Sequence, residues 1–338
     1  LPVSRLAREL GTGEDREGIA RIGLSPDGRW LATMEMYSRA VHLFPRDGGP
    51  ARAVPPVESS RGGVLGFGPG GDLLVTGGDQ SLRLWSLPDV HALRTVELEG
   101  AFTFGGGRGE SLLTFTRISS DDGELLVRAW PLPTGGPEIL GRVKGGASGI
   151  AGPDPPPPWL AFGRGRAVTV AELRRGASHL VRERVLGHHQ SNVTGVAYLR
   201  AGDRLASVDR GGEIRIWSLA AGAPALVRVL RGEGSRLIGA DPEGTHLATH
   251  GKNSSAILWN LDRPPHFAPT TLHRPDLSSS KPGAFDPTGR WLLTGNGTDV
   301  AFWPLAGPWA EVLPPPAGGW GMAFTPDGRG LVTSNGVR

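Results

Sequence analysis

The chain has 338 residues, with 36 Lys+Arg against 33 Asp+Glu and a formal charge of +3. It contains no cysteine, which excludes disulfides, thiolate metal centres and a cysteine nucleophile. Its apolar runs fall well short of the ~20 residues a spanning helix needs, and no basic-then-apolar segment opens it. No membrane contact is therefore expected from this segment; the location is left open, with cytoplasmic favoured. Only Lys144, Lys252 and Lys281 are lysines, so arginine dominates the basic residues. The arginines are interleaved with acids rather than gathered in a stripe, so no specific nucleic-acid partner is expected.

Glycine (53) and proline (30) recur with a period and mark turns between short strands. The first unit opens with a strand near residue 19, turns at Ser25-Pro26-Asp27-Gly28, alternates through Arg29-Trp30-Leu31-Ala32-Thr33 and ends at Phe44 in AVHLF. The second starts near 64, turns at Gly68-Pro69-Gly70-Gly71 and ends at Trp85 in LRLW. The third starts near 101, places Gly105-Gly106-Gly107 where the turn is expected, and ends at Trp130 in LVRAW. The fourth starts near 147 and carries Asp154 and Pro155–Pro158. Its strand AVTVAEL, residues 167–173, lacks the aromatic, which would fall near 173.

The fifth unit starts near 193, reaches Trp217 in EIRIW and continues into a polar fourth strand, Leu226 to Leu230. The sixth turns at Asp241-Pro242-Glu243-Gly244 and ends at Trp259; the seventh turns at Asp286-Pro287-Thr288-Gly289 and ends at Trp303. An eighth starts near 320 and turns at Thr325-Pro326-Asp327-Gly328. The aromatics are spaced by 41, 45, 87, 42 and 44 residues, a period of 41–45 once the gap of 87 is read as two.

Units of this length with four strands resemble the WD40 repeat family. The best match is residues 186–219, with Gly187-His188, Val193, Val196 and Ile214-Arg215-Ile216-Trp217. The resemblance implies an all-β fold, a β-propeller of four-stranded blades. It assigns Phe44, Trp85, Trp130, Trp217, Trp259 and Trp303 to the core between blades, since one sheet cannot bury both its faces alone. The family also carries a hydrogen-bonded network around the Gly-His histidine, with an Asp six residues before the Trp. In the fifth unit that offset falls on Gly211. The second unit has Asp79 there but lacks the Gly-His, so no complete network is expected.

Eight first strands favour eight blades; a seven-bladed ring with a leftover hairpin is the alternative. Residues 1–338 are read as one propeller, with 1–17 supplying a closing strand against 319–338. The chain ends inside a strand, which points to a segment of a longer protein. The composition and the resemblance together suggest a bacterial array within a signalling protein.

Other motifs carry little. Gly66 to Gly71 fits G-x-G-x-x-G but a strand follows it rather than a helix. His246 and His250 lie about 13 Å apart in a strand, too far to share a metal. Pro155–Pro158 reads as a stiff surface loop. No cofactor, metal or catalytic residue is assigned.

In the resembled family, ligands favour the face built by the loops entering the first strand and those joining the second and third. That projection selects Tyr37, Arg39, Arg61, Asp79, His188, Asp209, Arg210, Lys252, Asn253, Asn296 and Trp320. The reading is a monomeric, non-catalytic platform for a protein or peptide partner. The alternative is a propeller-fold hydrolase or small-molecule binder with a channel site, which needs converging ionisable groups.

Overall fold

The computed structural model describes residues 19–335 except 36–37, 57–63, 69, 79–80, 99–101, 109–110, 118–122, 132–134, 145–146, 152–158, 175–179, 200–201, 221–224, 252–254, 265–267, 273–282, 296–299, 306–318 and 325–330. Six antiparallel four-stranded sheets, over residues 19–54, 64–97, 102–143, 147–188, 193–231 and 236–272, form blades 1 to 6. A seventh sheet over 283–304 has three strands among the described residues. Within every blade each strand pairs with the next in sequence. All first strands therefore run in one direction, and they neighbour one another around the ring. The loops fall into two sets. Those entering the first strands and those joining second to third strands share the entry face. The Pro-Asp-Gly-type turns lie on the opposite, exit face.

One sequence position in each second strand organises the core. Leu74, Leu205, Leu247 and Leu292 lie in register with Trp85, Trp217, Trp259 and Trp303 on the third strand. Two residues on, a hydroxyl accepts the indole N–H. Trp85 donates to Thr76 at 2.8 Å, Trp130 to Thr114 at 2.9 Å, Trp217 to Ser207 at 2.8 Å, Trp259 to Thr249 at 3.0 Å and Trp303 to Thr294 at 2.9 Å. A buried N–H left unpaired would cost about 1–3 kcal/mol, so the hydroxyl permits the ring to be buried. Each ring then packs on the preceding blade: Trp85 on Met34 and Leu43, Trp130 on Val75 and Leu84, Trp217 on Val168 and Val170, Trp259 on Val208 and Ile216.

Blade 4 solves the same problem in reverse. Its register pair is Leu160 and Ala171, and Phe162 stands where the hydroxyl belongs. Phe162 and Ala171 are both fully buried in the interface with blade 3. The large ring has moved to the second strand, so the marker position is the small Ala171 rather than a residue near 173.

The ring closes with seven blades, which corrects the expectation of eight. Phe44 of blade 1 packs with Leu293, Trp291 and Phe302 of blade 7, as each Trp packs on its predecessor. Arg46 of blade 1 reaches across to Asp286 of blade 7 at 3.2 Å. The exit-face turns stack by the same rule. A Cβ on Gly71 would strike Asp27 of blade 1, one on Gly289 would touch Glu243 of blade 6, and one on Gly28 would touch Thr288 of blade 7. Residues 319–324 and 331–335 form their own two-stranded sheet. Counting first strands counts units, while closure depends on which faces fit, and blade 7 already covers blade 1. The strand expected at 1–17 lies outside the described residues. Gly105-Gly106-Gly107 is not a turn but part of the strand Phe102–Arg108.

Gly232 shows how tightly neighbouring blades approach: a Cβ there would lie 2.5 Å from the Trp259 ring. Gly232→Ala should cost about 1–3 kcal/mol through overpacking, measured by urea unfolding. Gly136→Ala, with open space around its Cβ, should stay within about 0.5 kcal/mol of the parent.

Candidate functional site

Among the described residues, blade 5 brings three ionisable groups together in one buried cluster. His189 follows the last strand of blade 4 and is fully buried. Its Nε2 lies 2.7 Å from Ser207 Oγ, the same hydroxyl that accepts from Trp217. Its Nδ1 faces Asp209 Oδ2 at 3.6 Å and Glu213 Oε1 at 3.5 Å. The proton positions follow from these partners. Were Nδ1 bare, its lone pair would face two carboxylates. The consistent arrangement has Nδ1 carry the proton, and the Ser207 hydroxyl donate to Nε2.

Asp209 holds the surrounding loop. Its Oδ1 accepts from the backbone N–H of Gly211 at 2.9 Å and Glu213 at 2.8 Å, and its Oδ2 from Ser191 at 3.0 Å. Glu213 accepts from Arg215 Nε at 2.6 Å. The His189, Asp209 and Glu213 ligand atoms lie within 4.8 Å of one another, close enough to surround one metal ion. Their other bonds favour a different role. Asp209 is occupied by three backbone donors, and a guanidinium sits against Glu213. The group reads as a hydrogen-bonded clamp on the entry-face loop, tied through Ser207 to the Trp217 core.

This clamp corrects the expectation that blade 5 lacks the Asp, although His189 Nδ1 meets Asp209 and Glu213 as charges and makes no hydrogen bond. The Asp is present eight residues before Trp217 rather than six, because the turn Arg210-Gly211-Gly212 is longer than the family spacing. Gly212 takes φ +84° to make that turn. The histidine is His189, whereas His188 ends a strand and is exposed. Asp209, projected onto the binding face, is 1% exposed and belongs to the clamp. Ser207 and Glu213 were not singled out from the sequence. The signal for Ser207 was its place in the column of Thr76, Thr249 and Thr294.

Of the other projected residues, Arg210 is exposed on the same loop and Arg39 is half-buried on the blade 1 loop. Both stand on the entry face. Tyr37, Arg61, Asp79, Lys252, Asn253 and Asn296 lie outside the described residues. Trp320 lies in the strand Gly319–Phe324 of the separate hairpin. Of the aromatic column, Phe44, Trp85, Trp130, Trp217 and Trp259 are buried and Trp303 is half-buried.

The exit face carries a second polar set. Asp27 accepts from Ser25 at 2.5 Å and from Arg29 Nε at 2.6 Å. Asp241 accepts from the His246 N–H and the Thr245 hydroxyl, both at 2.7 Å. Burial raises both carboxyl pKa values, but these hydrogen bonds outweigh it and hold them below the usual range. They fix the turns.

The WD domain, G-beta repeat family model matches residues 60–86 and 180–218. The fold is a β-propeller, and the chain carries WD40 repeats over those two stretches. It is similar to the Cps50 (Swd1) β-propeller domain of Myceliophteria thermophila, with TM-score 0.66, 13% identity, and coverage of 88% of this chain and 99% of that one. It is also similar to a chain of a mitotic checkpoint complex, with TM-score 0.65, 17% identity, and coverage of 87% and 92%. A search of curated protein sequences finds no match.

Burial lowers the His189 pKa; Asp209 and Glu213 raise it, Arg215 lowers it, and the balance is a value below the ordinary 6.5. The unfolded chain therefore binds a proton near pH 6.5 that the folded chain refuses, and stability falls as pH drops below that value. His250 is shifted the same way by burial and Arg236. Urea unfolding at pH 8 and pH 5 should show this loss, and His189→Gln should reduce the difference between the two. Ser207→Ala should cost about 1–3 kcal/mol at pH 8 by stranding the indole and imidazole.

Proposed function

We propose that the chain is a non-catalytic platform that binds a protein or peptide across its entry face. The observation that carries this reading is the division of labour among its polar side chains. The ionisable groups brought together, His189, Asp209 and Glu213, are buried and spent on holding a loop. Arg210 and His188, beside them, are exposed on that loop and its neighbour. A clamped loop presents them with little conformational freedom left to lose, which favours binding. Arginine is also among the residues enriched at binding hot spots. A place within a larger signalling protein fits this reading, with the propeller holding a partner for a catalytic domain elsewhere.

The test is affinity capture from lysate of the source cell with three proteins: the parent, His188→Ala/Arg210→Ala on the entry face, and Arg204→Ala/Arg290→Ala on the exit face. The reading predicts a partner retained by the parent and the exit-face variant and lost by the entry-face variant. A partner lost only by the exit-face variant would place binding on the opposite side and overturn it.

A further inference from the structure

Two arginines stand at the channel mouth of blade 1, neither in an ion pair with an acid among the described residues. Arg21 lies on the first strand, Ile19–Leu24, which faces the channel, and Arg39 on the loop joining the second and third strands. They are close enough that burial first, and the Arg39 charge second, lower the Arg21 pKa. Among the described residues, the exposed Arg21 donates to the neighbouring Ala20 carbonyl at 3.2 Å and to no other group. Arg39 Nε is buried with no hydrogen-bond partner. Glu35, the acid of the same hairpin, is taken by His42 at 3.1 Å and by Ser38. Arg39 also holds φ +57°, a left-handed conformation that is costly for a side chain other than glycine. Strain of this kind and an unpaired buried donor each oppose folding, and together they mark a site kept for binding.

We propose that Arg21 and Arg39 form an anion site that takes a carboxylate from an acidic segment of the protein partner. A planar carboxylate suits a guanidinium, accepts paired N–H bonds and relieves the repulsion between the two arginines. The wider field points the same way. Arg210 and Arg236 are exposed on the entry face and have no carboxylate partner among the described residues. Cations without a carboxylate partner on this face attract an acidic chain toward it. A nucleic-acid backbone fits less well, because it asks for a continuous run of phosphate contacts, and Arg210 and Arg236 sit on blades apart from the Arg21 and Arg39 pair.

This inference rests on the platform reading and names the chemistry of its partner. The experiment is fluorescence anisotropy of a labelled octaglutamate peptide with the parent protein at low salt. Saturable binding is expected, with about a tenfold loss in Arg21→Gln/Arg39→Gln, equivalent to about 1.4 kcal/mol, and no change in Arg204→Gln on the exit face. Arg39→Gly is the decisive second variant. It removes the charge and suits the backbone, so it should unfold at higher urea than the parent while binding the peptide more weakly. Binding unchanged in both Arg39 variants would overturn the site. So would labelled oligo(dT) binding more tightly than octaglutamate. If lysate capture still depends on the entry face while octaglutamate fails to bind, the platform stands and this inference falls; if capture shows no such dependence, the platform reading itself has failed.

Discussion

The structure depends on burying an indole at the boundary between two sheets. A tryptophan offers the area needed to join one blade to the next, but its N–H cannot enter that boundary unpaired. The hydroxyl two residues beyond the register leucine resolves the conflict in blades 2, 3, 5, 6 and 7. The spacing between blades then follows from ring thickness, and so do the glycines. Gly187 and Gly232 lie where a Cβ would collide with Trp217 and Trp259 of the following blade. Blade 4 shows that the constraint concerns volume rather than identity, since Phe162 fills from the second strand what Trp fills elsewhere from the third.

The same constraint decides where polar chemistry can exist. In blade 5 the Trp217 hydroxyl partner is shared with His189, so the core and the entry-face loop are mechanically one piece. A loop clamped in this way presents Arg210 on a fixed frame. Elsewhere on the entry face, Arg21 and Arg39 have no such clamp of acids among the described residues, and the proposed anion site uses their charges. The clamp and the open arginines are opposite uses of charge on one face: one is satisfied within the chain, and the other is proposed to be completed from outside.

Much of this was legible in the sequence because it is local. Turns of the Ser25-Pro26-Asp27-Gly28 type, alternating strands and the aromatic column repeat within one period, and each is fixed by neighbours a few residues away. Ring closure was not legible, because it depends on whether Phe44 finds blade 7, some 250 residues later in the chain. The blade 5 clamp was half legible. The sequence displays Gly187 and the His pair, but the family's six-residue offset falls on Gly211, because two extra turn residues move the Asp to 209. Counting from the turn rather than from the Trp would have found it. Arg39 was selected as a surface residue, whereas its pairing with Arg21 arises only once the hairpin and the first strand are brought together.

The central claim is that seven blades close the ring, with blade 1 directly against blade 7. The chain has no cysteine, so an engineered pair reports without background. A Cβ at Gly28 would lie 3.9 Å from Thr288 Cγ2 across that boundary, within reach of a disulfide. The measurement is mass spectrometry of Gly28→Cys/Thr288→Cys after mild oxidation and proteolysis. Closure predicts an intramolecular disulfide joining peptides from blades 1 and 7 in most of the protein. Free thiols, or only intermolecular links, would mean that another blade stands between them and would contradict the seven-bladed ring.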